Sequence, residues 1–127
     1  LTLVRDVMRR DEEVPRVAPA ASFSALMREM SAKAVGAAAV VDVGGHLLGI
    51  FTDGDLRRRI EAGSDLLALT AGDLMHQRPR TIAPDALAAD AAQLMEQHHI
   101  TSVLVTDDKG ELVGIVHIGD LLRAKVI

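Results

Sequence analysis

The chain of 127 residues lacks cysteine, tryptophan and tyrosine, and it contains two phenylalanines, Phe23 and Phe51. Without cysteine, disulfide bonds and thiol chemistry are excluded, and the composition is compatible with the cytoplasmic localisation that we expect. With these two phenylalanines as its only aromatic residues, the chain lacks the aromatic platform on which bases of single-stranded nucleic acid usually stack. No apolar stretch approaches the roughly 18 residues that a transmembrane helix needs, so no membrane partner is expected.

The charged residues are mixed in sign along the chain. Lysine and arginine together number 14, aspartate and glutamate number 18, and the formal net charge is −4. This interleaved, slightly acidic composition argues against non-specific binding of DNA or RNA, so nucleic acid is not an expected partner. Arg57, Arg58 and Arg59 form a local basic cluster. The cluster predicts either a solvated helix face or a contact with an acidic ligand or another domain.

The length of the chain predicts one domain, or two very small ones that share a core. Hydrophobic residues make up 49% of the sequence. That fraction supports a real, largely aliphatic core and excludes an intrinsically disordered chain. The sequence begins with Leu1 and enters a patterned region at once, from which we expect it to be a piece of a longer protein.

The same pattern occurs twice in the chain, 65 residues apart. Residues 17–58 align with residues 82–123 without a gap, and VRDVM (4–8) matches AGDLM (71–75) if the first copy carries a two-residue insertion. A repeat of this length is one supersecondary unit, and two copies normally pack together to bury a shared face. We therefore predict a first repeat at 1–63, a linker at 64–70 and a second repeat at 71–127.

Each copy predicts the element order β-α-β-β-α. After a short extended piece and a proline, apolar residues recur at helical spacing from Phe23 to Ala34, and Asp85 is the predicted N-cap of the matching helix in the second copy. Two strands follow in each copy, and the loops DVGGH and DDKGE between them contain glycines suited to a hairpin. A second helix begins near Gly54 or Gly119, and Gly63 is the predicted end of the first of these helices.

This repeated order, with G-h-h-[ST]-x-x-D closing the second hairpin strand (h is apolar), resembles a tandem pair of CBS domains. The resemblance implies an α/β fold of two pseudo-twofold-related repeats packed through their sheets. It also implies a regulatory module that often dimerises and commonly binds nucleotides in clefts between the repeats. Such pairs are attached to enzymes, channels and transporters.

Three stretches, residues 47–58, residues 69–75 with 78–95, and residues 98–123, more narrowly resemble the C-terminal pair of bacterial D-arabinose-5-phosphate isomerases. Members of that family carry a sugar-isomerase domain ahead of the pair and make the precursor of Kdo. The resemblance implies a sensor without catalytic residues or a cofactor, whose partner is the isomerase domain of its parent chain. The expected ligand is CMP-Kdo as a feedback signal. The alternatives are an adenine nucleotide, or a structural module that only holds an oligomer together.

The resemblance also assigns roles to particular residues. In CBS pairs the aspartate of the motif takes ribose hydroxyls and the threonine or serine approaches phosphate, which here implies Asp55 and Thr52. The second copy keeps Asp120 but has His117 in place of threonine, so we predict that the Asp55 side binds nucleotide better. The remaining walls are implied to come from Arg80, Thr81, Ile82, His99, Thr101 and Ser102. An alternative interpretation makes Thr52 and Asp53 plain helix caps, Asp55 a first-turn carboxylate, and Thr101 and Ser102 ordinary strand polarity.

Two further hypotheses concern metal binding and assembly. His98, His99 and His117 suggest a metal, but adjacent histidines point to different faces and no paired carboxylates support a closed zinc site, so none is predicted. No nucleophile–base pair or P-loop is present, so catalysis is not predicted. A homodimer or higher oligomer is expected through the apolar residues of the second helices, unless these only close the internal core. Those residues are Leu56, Ile60, Leu121 and Leu122.

Overall fold

A computed structural model describes all 127 residues, which form six α-helices, seven β-strands and two short 3₁₀ turns. The chain divides into two compact units. The central unit comprises residues 15–79, and the split unit comprises residues 1–14 together with residues 80–127. Each unit is described separately.

The central unit is a four-stranded sheet with helices. Its elements are β1 (Arg16–Val17), α2 (Phe23–Lys33), β2 (Ala37–Val41), β3 (Leu47–Thr52), α3 (Asp53–Glu61), α4 (Ala71–Leu74) and β4 (His76–Gln77). The strand order is β1-β2-β3-β4, in which β1 pairs with β2 in parallel and the other pairs are antiparallel. The hairpin register places Ala37 opposite Thr52, so the end of β3 lies beside the start of β2.

The split unit repeats this plan with a three-stranded sheet. Its elements are α1 (Val4–Val7), β5 (Thr81–Ile82), α5 (Ala88–His98), β6 (Ser102–Thr106), β7 (Leu112–His117) and α6 (Ile118–Arg123). The strand order is β5-β6-β7, parallel and then antiparallel, and Arg9 adds an antiparallel bridge to Ile115 of β7. The β-α-β-β-α order predicted for each copy is therefore found in both units.

The short segments at the beginning of the two repeats are exchanged between the units. Residues 71–77, which begin the second repeat, belong to the central unit, and residues 4–9, which begin the first repeat, belong to the split unit. Glycine makes room for each segment: a Cβ at Gly49 would lie 2.6 Å from the Met75 sulfur, and one at Gly114 would lie 2.6 Å from the Met8 sulfur. The boundaries of the compact units therefore differ from the boundaries of the sequence repeats.

Each unit has its own aliphatic core. In the central unit Leu26 and Met30 of α2 pack with Phe51 and the strands, and in the split unit Met95 of α5 packs with Val103 and its neighbours. The helix-spaced apolar residues thus face the sheets, as their period predicts. No helix has the length and apolarity that crossing a bilayer requires.

Most predicted helix ends agree with the structure, but Asp85 is not an N-cap. Helix α5 begins at Ala88 with Leu87 in the cap position. The residues before it are bonded to the exchanged segment, since the Pro84 carbonyl accepts from the Arg5 amide and the Ala86 carbonyl accepts from the Val4 amide, at 2.9 and 2.8 Å. This pairing delays the start of the helix. Gly63 follows the end of α3 with a φ of +73°, which confirms its predicted role.

The four apolar residues expected at a dimer surface divide into two pairs. Leu121 is fully buried in its own unit and Leu56 packs against the core of the other. Ile60 and Leu122 remain 61% and 56% exposed. The alternative interpretation, closure of the internal core, therefore describes Leu56 and Leu121, and only Ile60 and Leu122 present apolar surface.

The close approach at Gly49 predicts that Gly49→Ala destabilises the chain by about 1–3 kcal/mol, because the new methyl group overlaps the exchanged segment. The added Cβ would lie 2.6 Å from both the His76 carbonyl oxygen and the Met75 sulfur. Chemical denaturation measures the change, with Ser24→Ala on the exposed side of α2 as a control expected within about 0.5 kcal/mol of wild type. An unchanged unfolding midpoint for Gly49→Ala would contradict this packing.

Candidate functional site

Thr52 and Asp55 form a reciprocal cap where β3 passes into α3. The Thr52 hydroxyl accepts a hydrogen bond from the Asp55 amide at 3.1 Å, and the Asp55 carboxylate accepts one from the Thr52 amide at 3.0 Å. Two amides that the helix itself leaves unpaired are satisfied in this way. The capping interpretation therefore holds for Thr52. Asp53 supplies no cap and instead bonds through its amide to the Gly36 carbonyl, at 2.9 Å.

Asp55 is a buried carboxylate in contact with the side chains of Arg58 and His76. It is only 6% exposed. Its Oδ1 accepts from the Arg58 guanidinium at 2.7 Å and lies 2.9 Å from His76 Nε2. Burial acts to raise the pKa of Asp55, but the hydrogen bonds from Arg58 and Thr52 and the charge of His76 outweigh it, so the pKa lies below its ordinary value. Asp55 is therefore held as an anion at the end of β3. We call Thr52, Asp55, Arg58 and His76 the Asp55 site.

An open cavity of about 300 Å³ adjoins the Asp55 site. It is lined by Asp55, Arg58, Arg59, Leu74, Met75 and His76. Arg59 also reaches the Asp73 carbonyl at 3.4 Å. The lining carries two arginines and a histidine against one carboxylate, so it is suited to an anionic group beside an acceptor for hydroxyls.

The split unit builds an equivalent Asp120 site from Arg9, His117, Asp120 and Arg123. The carboxylate accepts from the His117 amide at 2.9 Å and from the Arg123 guanidinium at 2.7 Å, and Arg9 Nε lies 3.2 Å from both of its oxygens. Burial acts to raise the pKa of Asp120, but the hydrogen bonds from His117, Arg9 and Arg123 hold it below its ordinary value. Two guanidinium groups thus surround this carboxylate.

His117 caps α6 in a different way from the threonine of the first copy. Its Nδ1 accepts a hydrogen bond from the Gly119 amide at 3.0 Å, which requires that nitrogen to be unprotonated. The imidazole therefore replaces the threonine as a cap.

The other site residues implied by the resemblance lie in the split unit, and only some of them lie close to the Asp120 site. Ser102 pairs with His117 across the hairpin, and the Thr101 carbonyl accepts from the Ile118 amide at 2.9 Å, so both lie near the start of α6. His99 is an exposed residue in the left-handed conformation just after α5. No group of three or more histidine, cysteine and carboxylate side chains is arranged to hold a metal ion.

Arg80, Thr81 and Ile82 are placed differently. Arg80 and Thr81 are exposed, whereas the side chain of Ile82 belongs to the core and leaves only its backbone available to a ligand. Thr81 and Ile82 line a cavity of about 520 Å³ together with Asp85, Asp107 and other residues. Because β5 and β6 are parallel, that cavity lies past the carboxyl end of β6, away from the strand start that adjoins Asp120.

Sequence reasoning missed the cations that bind the two carboxylates. Arg58 and Arg123 each follow their aspartate by three residues, and Arg9 and His76 each follow a matched methionine, Met8 or Met75. These matches are visible in the repeat alignment. Their meaning is not visible, because it depends on which strands the exchanged segments join.

The lowered pKa values of Asp55 and Asp120 predict how stability responds to acid. A carboxylate whose pKa is depressed in the folded state contributes stability that is fully present above its unfolded pKa, near 4, and that is lost as the pH falls through the folded pKa. The melting temperature should therefore drop below about pH 4, and Asp55→Asn or Asp120→Asn should make that drop shallower. Thermal melts followed by circular dichroism from about pH 3 to about pH 7 measure the slopes.

The matched control is Asp90→Asn, an exposed residue of α5, which should keep the wild-type slope. Identical slopes in all four proteins would show that other groups control acid unfolding.

Comparison with known proteins gives the same assignment for both halves of the chain. A family model for the CBS domain matches residues 4–62 and 71–127. The chain is 40% identical over its full length to arabinose 5-phosphate isomerase KdsD of Yersinia pestis and 39% identical to that of Escherichia coli K12, and it spans 38% of the length of either relative.

Among solved structures, CBSX2 of Arabidopsis thaliana in complex with AMP matches with a TM-score of 0.87 and 26% identity, covering 99% of this chain and 97% of that one. The α/β fold expected from the repeat is thereby confirmed. CBS pairs are regulatory modules, which agrees with the expectation that this chain is not itself catalytic. With the family model covering nearly the whole sequence in two copies, the chain belongs to the CBS domain family, as a tandem pair.

Proposed function

We propose that this chain is the nucleotide-sensing regulatory pair of a bacterial D-arabinose-5-phosphate isomerase and that its feedback ligand is CMP-Kdo. One observation carries the proposal: the buried Asp55 carboxylate opens onto a cavity that is otherwise lined by cationic and apolar side chains. The 40% identity to an arabinose 5-phosphate isomerase supports the parent enzyme. The sugar-isomerase domain of that parent chain is the proposed partner.

The chemistry of the Asp55 site suits a nucleotide sugar. A carboxylate can accept from two vicinal ribose hydroxyls, and the N-terminus of the nine-residue α3 offers a positive dipole end to phosphate. Arg58 and Arg59 favour further negative charge. CMP-Kdo carries a cytidine ribose, a phosphate and a sugar carboxylate. It therefore has one group for each feature.

An adenine nucleotide is the second candidate ligand, because CBSX2, at 26% identity, was crystallised with AMP. The features proposed for the Asp55 site recognise ribose and phosphate, and both candidate ligands contain these groups. Discrimination between the two ligands would therefore depend on the base. A purely structural oligomerisation module is the third candidate and would bind none of them.

Thr101, Ser102, His117 and Asp120 form the proposed second, weaker binding position. Arg80, Thr81, Ile82 and His99 are proposed as its outer walls, although Ile82 can contribute only through its backbone.

Thermal shift with CMP-Kdo, CMP, AMP, ATP and S-adenosylmethionine separates the three candidates, because a ligand that binds only the folded state raises its melting temperature. We expect CMP-Kdo to give the largest shift. A shift with AMP or ATP alone would favour the second candidate, and no shift with any compound would leave the structural module.

Asp55→Ala locates the site in the same experiment. Loss of a charged acceptor should weaken binding by roughly ten- to a hundredfold, whereas Asp120→Ala should weaken it less. Isothermal titration calorimetry measures both variants after a melting curve has shown that they fold. Intact binding in Asp55→Ala with lost binding in Asp120→Ala would contradict the choice of site.

We also propose that the chain forms a homodimer through the exposed Ile60 of α3 and Leu122 of α6. The split unit also has an apolar groove of about 510 Å³, lined by Ile118, Ile127 and residues of α5. Light scattering at tens of micromolar should give at least twice the monomer mass, and Leu122→Asp should lower it because a buried charge disfavours association. A monomeric mass for the wild-type chain would refute the proposal, and Val43→Asp in an exposed hairpin loop is the matched control.

A further inference from the structure

Each of the two carboxylates is already engaged by a side chain from an exchanged segment. His76 Nε2 lies 2.9 Å from Asp55, and Arg9 Nε lies 3.2 Å from both oxygens of Asp120. The two side chains occupy equivalent positions, since each follows the methionine that packs on a glycine of the last hairpin strand. We propose that His76 and Arg9 decide which carboxylate takes a nucleotide more tightly: His76 yields its place to ribose hydroxyls, whereas Arg9 stays on Asp120 and makes it the weaker position. This inference rests on the proposed function of the Asp55 site.

The number of acceptor positions already in use differs between the two sites. A carboxylate offers about four lone-pair positions for hydrogen bonds. Asp55 uses three of them, for the Thr52 amide, Arg58 and His76. Asp120 makes four contacts, with the His117 amide, with Arg123 and twice with Arg9. Two vicinal hydroxyls need two free acceptor positions. Asp55 has one free position and must release one more, whereas Asp120 has none free and must release two.

The side chain that must leave is also easier to displace at Asp55. The side chain of His76 is 68% exposed and touches one carboxylate oxygen, so its imidazole can be solvated readily when it leaves Asp55. Arg9 is a permanent cation that is 23% exposed and bridges both oxygens of Asp120. Removing Arg9 would take a full positive charge from both oxygens, whereas removing His76 breaks one contact and leaves Arg58 on the same Asp55 oxygen, so the loss of Arg9 is the costlier change.

Displacement of His76 leaves the Asp55 site suited to an anionic ligand. Arg58 and Arg59 remain in the lining of the adjoining cavity, so the carboxylate keeps a cationic partner when the imidazole moves away. At Asp120 the equivalent movement would break the only contact there that spans both oxygens. The difference between the sites therefore follows from one residue in each exchanged segment.

Reciprocal exchange of the two side chains tests the proposal. Calorimetric titration with CMP-Kdo, CMP and AMP should show that His76→Arg weakens binding at least about tenfold, because a guanidinium competes with the hydroxyls for both oxygens. Arg9→His should raise the stoichiometry toward two ligands per chain. In the double variant, Asp120→Ala should now weaken the stronger binding event as much as Asp55→Ala weakens it in the wild type.

Matched controls are Arg10→His, next to Arg9 but bonded to the Arg5 carbonyl, and His46→Arg in an exposed hairpin loop. Both should bind as the wild type does. Melting curves check folding, and if His76→Arg fails to fold, Arg9→His carries the test alone.

The possible outcomes distinguish a failure of the roles of His76 and Arg9 from a failure of the proposed function. Wild-type affinity in His76→Arg, or unchanged stoichiometry in Arg9→His, would overturn the roles of His76 and Arg9 while the nucleotide site stands. Absence of binding to all three compounds by the wild-type chain would overturn the proposed function and this inference with it.

Discussion

Both halves of this protein depend on the same interaction, in which a buried carboxylate in the first turn of a helix is compensated by hydrogen bonds and cations. A buried anion is tolerated only when hydrogen bonds and cations compensate it, and Asp55 and Asp120 each collect a strand-end amide, an arginine of their own helix and a side chain from an exchanged segment. Each carboxylate thus ties its own strand-to-helix turn to an exchanged segment that lies 21 residues away for Asp55 and 111 residues away for Asp120. In the proposed function, the oxygens that make these structural contacts would also bind ribose.

The exchanged segments explain why glycine is required in the last strand of each hairpin. At Gly49 and Gly114 the backbone of the incoming segment and its methionine come so near that no side chain fits. This contact positions the residue after the methionine beside the carboxylate. Close packing of a structural segment therefore sets the electrostatics of the candidate ligand site, and the two features cannot be changed independently.

The two sites are alike in geometry and different in chemistry. Threonine and histidine both cap the helix, but the threonine leaves a small hydroxyl at the strand end whereas the histidine leaves a bulky ring. Histidine and arginine both contact the carboxylate, but only the arginine is a permanent cation that spans both oxygens. The two halves therefore share one capping arrangement but surround their carboxylates with different groups.

The sequence by itself determined the repeat, the order of elements, the apolar faces of α2 and α5, and the positions of Thr52 and Asp55 at a helix start, because these depend on local periodicity and on short-range capping. It did not determine that Asp85 would fail as a cap, that Leu56 and Leu121 would turn inward, or that His76 and Arg9 would reach the carboxylates. Those outcomes depend on contacts between residues that are distant in sequence: His76 lies 21 positions from Asp55, and Arg9 lies 111 positions from Asp120. Only the tertiary structure decides them, because such contacts form when the intervening loops close and the segments pack together, and a local sequence pattern does not show which segments will meet.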